Sequence, residues 1–309
     1  MVLGIEIGGT KLQVVAGSGN GQITDRRRLV VDRTAGGAGI RAQLARVLPE
    51  LIKAHHPTGV GVGFGGPVDW RTGRICCSHQ IAGWHDFELG EWLGRETGLP
   101  VRVDNDANVA ALGEAVHGSG RGANPVFWIN MGSGVGGGLV VDGRIYHGAV
   151  PGEAEIGHLC LDKSGVRVEE RCSGWAVDRR IREAVNLHPG GVLASLAGDR
   201  EGGEARALAP ALERGDELAH AILSELADNL AFALSHAVQL FHPEVIVIGG
   251  GLSLIGESLR QAVAEALPPY VMDSFRPGPR LVLAGLGEDS VPVGALALAA
   301  GASVALTAE

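Results

Sequence analysis

The sequence Leu3-Gly-Ile-Glu-Ile-Gly-Gly-Thr-Lys11 opens the chain with a short apolar strand that runs into a pair of glycines. Glycine lets backbone N–H groups approach an anion that a Cβ would keep at a distance. Thr10 adds a hydroxyl donor and Lys11 adds a positive charge. We therefore predict that Gly8, Gly9, Thr10 and Lys11 form one wall of a polyphosphate site.

A second glycine turn follows another apolar strand, in the run Ile129-Asn-Met-Gly-Ser-Gly-Val-Gly-Gly-Gly138. Residues 132–137 also match GxGxxG, but a dinucleotide-binding fold would need a helix directly after the turn. The alternating residues 139–146 predict a hairpin there instead. The chain has no GxxxxGK[ST] run, which excludes a P-loop. Two such turns in one chain indicate phosphoryl transfer. The residues of the second turn are Gly132, Ser133 and Gly134.

A third glycine cluster, formed by Gly249, Gly250 and Gly251, ends the apolar run 245–248 and precedes a predicted helix. Ligands bind at this position in open α/β sheets, at the carboxyl ends of the strands. A plain strand-to-helix turn is the alternative reading of the same residues.

The polar run Asp104-Asn105-Asp106-Ala107-Asn108 stands between an apolar strand and a helix. Helix capping accounts for one such residue, whereas four polar side chains crowd this turn. A carboxylate at a strand end can accept a hydroxyl proton as phosphoryl transfer proceeds. We predict that Asp106 is this general base.

Two carboxylates and a histidine, Glu153, Glu155 and His158, follow a glycine-rich loop. Hydrogen-bond acceptors and donors clustered in this way suit a polyhydroxylated ligand, because each hydroxyl needs a partner once it is desolvated. A structural role for the histidine remains the alternative.

The order of predicted elements is that of an α/β protein with two lobes and a cleft between them. Each half opens with a strand meander, which indicates duplication of one strand-rich unit. The predicted small lobe is 1–118 plus about 297–309, and the large lobe is 119–296. Predicted strands are 3–7, 11–16, 27–32, 60–64, 100–103, 126–131, 137–141, 144–146, 245–248 and 280–284; predicted helices include 38–55, 216–241 and 292–301.

Composition limits the class of protein. The 309 residues are 45% hydrophobic, and 35 acidic against 26 basic residues give a net charge of −9, which disfavours a nucleic-acid partner. No apolar run reaches the length of a membrane helix, and the first strand starts too early for a signal peptide. The four cysteines lack disulfide-framework spacing, so we expect reduced thiols and a cytoplasmic protein.

Together these motifs resemble the ROK family of sugar kinases and repressors, within the sugar kinase/actin-like ATPase superfamily, over nearly the whole chain. Besides the phosphate turn at 6–11, the Asn-Asp-Ala-Asn run at 105–108 and the glycine turn at 132–138, five further motifs match. They are Gly-Gly-Pro-Val-Asp at 65–69, Ile-Ala-Gly-Trp at 81–84, Glu-Ile-Gly-His at 155–158, Pro-Glu-Val-Ile-Val-Ile-Gly-Gly-Gly at 243–251 and Val-Gly-Ala-Leu at 293–296.

The resemblance implies a duplicated ribonuclease H-like (actin-like ATPase) fold and an ATP- and Mg²⁺-dependent hexose kinase, with glucose the first substrate to test. Fructose, mannose, N-acetylglucosamine and N-acetylmannosamine stay open as alternatives, as does a non-catalytic regulator that senses sugar. Asp106 would deprotonate the 6-hydroxyl, the three glycine clusters would hold ATP, and 249–251 would lie on the adenosine side. The residues that would bind the sugar are Gly66, Asn105, Asp106, Glu155, His158 and Glu169.

Three departures from the family pattern stand out. The cysteine-rich zinc loop of many members is missing around Glu169, so we expect no zinc; Cys160 and Cys172 with His158 are the weaker alternative. The phosphate turn carries Glu6 where the family has aspartate, a position that helps to orient magnesium ligands. Gln80 and Gly65 replace the asparagine and proline that the family usually has, which leaves the identity of the sugar open.

Two expectations concern partners. A ROK repressor needs a helix-turn-helix ahead of the first strand, and only two residues precede it here, which favours the kinase. Helix 216–241 has a second face of small residues that could serve a homodimer, although a monomer that buries both faces is the alternative. These small residues are Ala219, Ala227, Ala231 and Ala237.

Overall fold

The computed structural model describes residues 1–78, 80–152, 154–198 and 201–301. The strands are β1 Val2–Ile7, β2 Leu12–Gly17, β3 Ile23–Leu29, β4 Val60–Phe64, β5 Val68–Asp69, β6 Arg74–Ile75, β7 Phe87–Glu88, β8 Val101–Asn105, β9 Val126–Met131, β10 Val135–Val141, β11 Arg144–Ile145, β12 Val245–Gly249 and β13 Arg280–Leu283. The helices are α1 Gly36–His55, α2 Leu89–Thr97, α3 Asp106–His117, α4 Val168–Cys172, α5 Gly174–Leu187, α6 Val192–Ala197, α7 Leu208–Glu213, α8 Glu217–Phe241, α9 Glu257–Ala266 and α10 Ser290–Ala300.

The first five-stranded sheet has the order β3-β2-β1-β4-β8. The neighbouring strands β1, β4 and β8 run parallel to one another. Their register pairs Ile7 with Phe64 and Phe64 with Asn105. Because parallel strands end at the same edge of a sheet, the residues that follow β1, β4 and β8 are brought together. The predicted phosphate turn, Gly65 and Asp106 therefore share one edge.

The second five-stranded sheet has the order β11-β10-β9-β12-β13. Strands β10 and β11 form an antiparallel hairpin, which confirms the hairpin expected in place of a dinucleotide-binding helix. Each large sheet contains a meander, β1-β2-β3 in the first and β9-β10-β11 in the second, as duplication predicts. A small antiparallel sheet, β5-β6-β7, accompanies them.

Most predicted boundaries agree with the structure to within two residues. The main exception is β3, which spans 23–29 instead of 27–32. The predicted strand favoured the apolar residues Leu29 to Val31, whereas pairing with β2 selects the charged segment Asp25–Leu29. One face of β3 is exposed, so its charged side chains remain in water and cost little.

Helix α8 begins at the N-cap Asp216, whose carboxylate accepts a hydrogen bond from the Ala219 N–H at 2.9 Å, and ends at His242 in the left-handed conformation. Its second, small-residue face was considered above as a dimer surface. That interpretation is wrong, because all four alanines are buried within the single chain. Small side chains here let neighbouring elements approach the helix closely. The four are Ala219, Ala227, Ala231 and Ala237.

Contacts within the chain define two compact units. The first contains 1–128, 138–154 and the segment from 285 onward, and the second contains 129–137 and 155–284. The lobe boundaries predicted at 118 and about 297 remain a proposal about domains. No helix in the described part of the chain is both long enough and apolar enough to cross a membrane.

Candidate active site

The carboxyl edge of the first sheet brings Asp106 next to the first glycine turn. A methyl group placed on Gly65 would lie 3.3 Å from Asp106 Oδ2 and 3.4 Å from Gly8 Cα. These distances put the predicted general base and the start of the predicted phosphate turn on either side of one glycine. A larger side chain at position 65 would stand between them.

The side chain of Asn105 fixes the backbone around Asp106. Asn105 is the N-cap of α3, and its Oδ1 accepts hydrogen bonds from the N–H groups of Ala107 at 2.8 Å and Asn108 at 3.3 Å. Its Nδ2 donates to the Gly66 carbonyl at 3.2 Å. Asn105 is thus the one helix-capping residue that the sequence led us to expect in this turn. It also links the 104–108 turn to Gly66. Asp106 is the first residue of the helix.

A hydrogen bond from the Gly8 N–H to the Lys11 carbonyl, 2.8 Å long, closes the first glycine turn. Thr10 and Lys11 lie exposed at its tip. The Lys11 ammonium is 3.6 Å from Glu288, an exposed ion pair that solvent screens and that an anionic ligand can compete for.

Glu6 lies on β1 just before this turn and is only 7% exposed. The Gln13 amide donates a hydrogen bond to Glu6 Oε2 at 2.5 Å. Burial raises the pKa of the Glu6 carboxyl, and Asp289 and Glu288 raise it further, while Gln13 and Lys11 act in the opposite direction. A cation close to this carboxylate would therefore relieve an unfavourable charge.

In the second unit, two glycine clusters adjoin. The Gly132 N–H donates to the Gly134 carbonyl at 3.0 Å, which closes the turn and leaves Ser133 exposed at its tip. Gly250 packs on the backbone of Met131, directly before this turn, where a methyl group would come within 2.5 Å of the Met131 carbonyl. The second and third predicted nucleotide segments thus meet at the end of β9.

Gly250→Ala should destabilise the second unit strongly. Gly250 has φ +83° and ψ −179°, a region that only glycine occupies readily, and the added methyl group would overlap Met131. Strain and overlap together should cost roughly 3 kcal/mol or more of unfolding free energy, measured by urea denaturation. Gly251→Ala is the matched control, since a methyl group there meets open space. Equal unfolding free energies of the two variants would show that position 250 does not require glycine.

Three predicted sugar-binding residues lie on two segments that contact Val135, the first residue of β10. Glu169 Oε2 accepts a hydrogen bond from the Val135 N–H at 2.9 Å, so this carboxylate supports the end of the second glycine turn. Glu155 and His158 are exposed and flank a short helical turn whose Gly157 packs against the Val135 carbonyl. The His158 ring lies 3.2 Å from Arg167. Glu153 lies outside the described residues.

The cysteines give no support to the zinc alternative. Cys172 is fully buried, and burial raises the pKa of its thiol to about 12, which disfavours the thiolate that zinc requires. Cys160 is exposed. Within the described ranges, no group of three or more His, Cys, Asp or Glu side chains is arranged to hold a metal ion.

The structure adds a histidine that the sequence patterns did not single out. His147 Nε2 lies 2.7 Å from Asp104 Oδ2, in the same polar turn as Asp106. The two residues are 43 positions apart in sequence. Asp104 is visible in the quoted motif, but no local pattern marks His147, because only the fold brings the segment after β11 to this edge.

The family model described as "ROK family" matches residues 2–302. A glucokinase from Halalkalibacterium halodurans is 34% identical over 307 residues, covering 94% of this chain and 92% of the relative. A glucokinase from Thermotoga maritima is 31% identical over 307 residues, covering 96% of each. The structure of a ROK family glucokinase from Streptomyces griseus in complex with glucose and AMPPNP matches with a TM-score of 0.84 at 28% identity, covering 97% of this chain and 99% of that one. The duplicated actin-like ATPase fold predicted from the sequence is thereby confirmed.

Proposed function

Because the chain belongs to the ROK family, we propose that it is an ATP-dependent kinase that transfers the γ-phosphoryl group to the 6-hydroxyl of glucose. Full-length similarity to glucokinases at 31–34% identity supports this substrate and this donor. The structural observation that carries the proposal is the position of Asp106, beside Gly65 and within reach of the first glycine turn. A base and a phosphate turn at one sheet edge are the two parts that phosphoryl transfer needs.

Asp106 would act as the general base. Its carboxylate would accept the proton of the 6-hydroxyl while that oxygen attacks the γ-phosphorus and the bond to the ADP oxygen breaks. Its place at the first turn of α3 suits an anion, because the helix dipole stabilises negative charge there. The Asn105 cap holds the backbone of this turn rigid, which keeps the carboxylate in position.

The glycine turns would hold ATP. Backbone N–H groups at the tips of 8–11 and 132–134 suit phosphate oxygens, and Lys11 would leave its exposed partner Glu288 to neutralise them. Gly249, Gly250 and Gly251 would lie on the adenosine side, and of these Gly250 packs against the end of β9. A buried carboxylate held by an amide, as at Glu6, fits indirect retention of Mg²⁺ through water. When bound, Mg²⁺ would offset charge on the transferred phosphoryl group.

By the family resemblance, Gly66 and Asn105 in the first unit are proposed sugar-binding residues. In the second unit, the carboxylates of Glu155 and Glu169 and the imidazole of His158 would pair with sugar hydroxyls. Because the Glu169 carboxylate already supports Val135, sugar binding there would also steady the adjoining glycine turn. This coupling suits an enzyme whose two substrates must be aligned together.

We also propose a cytoplasmic enzyme that acts on small molecules alone. The structure pairs none of the four cysteines, all of which it describes, in a disulfide, and this fits a reducing compartment. A homodimer remains part of the proposal without the α8 surface that first suggested it, and light scattering of the purified protein decides it.

A coupled ADP-release assay across a panel of hexoses tests the function. Glucose with ATP and Mg²⁺ should give the highest kcat/KM, and polyphosphate in place of ATP tests the donor. Glucose should also raise the melting temperature, as a ligand that binds only the folded state must. A glucose-dependent rise in melting temperature without turnover on any hexose would favour the sugar-sensing regulator instead.

A further inference from the structure

A buried hydrogen bond between Asp104 and His147, beside the proposed base, has no part in the mechanism above. Asp104 is the last residue but one of β8, only 3% exposed, and directly precedes the cap Asn105. Its Oδ2 lies 2.7 Å from Nε2 of His147, whose side chain is 19% exposed. A buried carboxylate is costly to leave unpaired, so the histidine has a large effect on how Asp104 is held.

The second oxygen of Asp104 organises the turn that contains Asp106. Asp104 Oδ1 accepts hydrogen bonds from the Asn105 N–H at 2.8 Å and from Asn108 Nδ2 at 3.0 Å. These two bonds lie on either side of the two residues between their donors, Asp106 and Ala107. The orientation of the Asp104 carboxylate therefore sets the backbone of the segment that presents the proposed base.

His147 is itself held from two sides. Its ring stacks on the Trp70 indole with centroids 4.1 Å apart and planes 14° from parallel. The Trp70 N–H has no hydrogen-bond partner among the described residues. Trp70 therefore holds His147 through the face of its indole ring and not through its N–H. A carboxylate oxygen accepts, so the imidazole Nε2 is the donor in this hydrogen bond.

We propose that His147 is a positioning residue for phosphoryl transfer: it anchors Asp104 and, through Asp104, the turn that carries Asp106. The proposal rests on the proposed kinase function, in which Asp106 is the base. A displacement of a reacting group by about 1 Å can cost roughly 100-fold in rate, so loss of the anchor should appear in kcat.

Three variants separate the ring from the hydrogen bond. His147→Phe keeps a stacking ring and removes the donor, and we expect kcat to fall about 10- to 100-fold with the KM for ATP unchanged. His147→Gln keeps an N–H donor at similar reach, and it should recover most of this loss. Trp70→Phe keeps an aromatic face under the imidazole and should change kcat less than threefold.

The chain offers a matched control for the loss of a histidine–aspartate pair. His55 Nε2 lies 3.0 Å from Asp25 Oδ2, and His55→Phe breaks that pair at a place without a role in the reaction. Both Phe variants should remain folded by circular dichroism, and His55→Phe should keep the wild-type kcat. A fall in kcat confined to His147→Phe, with rescue by glutamine, would not follow from general destabilisation.

A double-mutant cycle gives the decisive outcome. If His147 acts through Asp104, His147→Phe should lower kcat much less in an Asp104→Asn background than in the wild type. A His147→Phe enzyme with kcat within threefold of wild type, or equal losses in both backgrounds, would overturn this proposal and leave the kinase function intact. A wild-type protein without activity on any hexose would overturn the kinase function and this proposal with it.

Discussion

Asp106→Asn should fold, bind glucose and lose about 10²- to 10⁴-fold in kcat, because the amide has the shape of the carboxylate but cannot take up the hydroxyl proton. The helix and its cap should persist, since Asn105 rather than Asp106 makes the capping hydrogen bonds. The loss should therefore appear in kcat, while the dissociation constant for glucose changes little. Steady-state kinetics with the coupled assay and calorimetric titration of glucose measure the two quantities.

Asp273→Asn is the matched control for this experiment. Its carboxylate is 90% exposed and pairs with Arg276 on the surface, so the same chemical change should leave kcat unaltered. If Asp106→Asn retained kcat within a factor of about ten of wild type, Asp106 could not be the general base.

Glu114→Gln should lower the free energy of unfolding by roughly 2–4 kcal/mol, because it leaves a buried hydrogen-bond donor without a partner. Glu114 lies in α3 with no exposed surface. Its Oε2 accepts from the N–H groups of Ser119 and Gly285, at 2.9 and 3.0 Å. Its Oε1 accepts from the Leu286 N–H and the Ser290 hydroxyl, both at 2.9 Å.

Glutamine cannot satisfy four donors, because one of its two terminal groups is itself a donor. The Ser290 hydroxyl can rotate to accept a hydrogen bond, so we expect the glutamine NH₂ group to take the place of Oε1. The Leu286 N–H would then face another donor and be left unpaired in the interior. The segment 285–290, which leads into α10, loses its attachment to α3 as a result.

Urea denaturation measures this loss, and Glu225→Gln is its control. Glu225 pairs with Arg180 on the exposed side of α8, where the same substitution should cost less than about 1 kcal/mol. The kcat per folded molecule should be near normal in Glu114→Gln, since Glu114 has no part in the proposed reaction. An unfolding free energy within about 0.5 kcal/mol of wild type would show that this buried carboxylate does not hold the segment.

Elements with a strong local signal were predictable from the sequence. The strands Val60–Phe64 and Val126–Met131 were predicted with their observed bounds, because mainly apolar runs bounded by glycine or proline leave few alternatives. Strand β3 was misplaced because its residues are charged on an exposed face, and only pairing with β2 selects them. The alanine face of α8 was ambiguous, since sequence cannot tell a packing surface within the chain from one between chains.

The candidate site divides in the same way. Short runs of glycine or polar residues at a strand end can be recognised from a few neighbouring positions, as at 8–11 and 104–108. Contacts between distant segments do not, so the proximity of Asp106 to Gly65 and Gly8 needed the parallel register of β1, β4 and β8. His147 and Glu114 acquire their partners through the same long-range packing. Site roles carried by the resemblance, such as those of Glu155 and His158, remain predictions.

A crystal structure with glucose and AMPPNP tests the central claim most directly. We predict that a carboxylate oxygen of Asp106 lies about 2.6–3.2 Å from the glucose 6-hydroxyl oxygen, with that oxygen directed at the γ-phosphorus. Glucose bound with its 6-hydroxyl beyond hydrogen-bond reach of Asp106, or γ-phosphate held away from the turn at 8–11, would contradict the account.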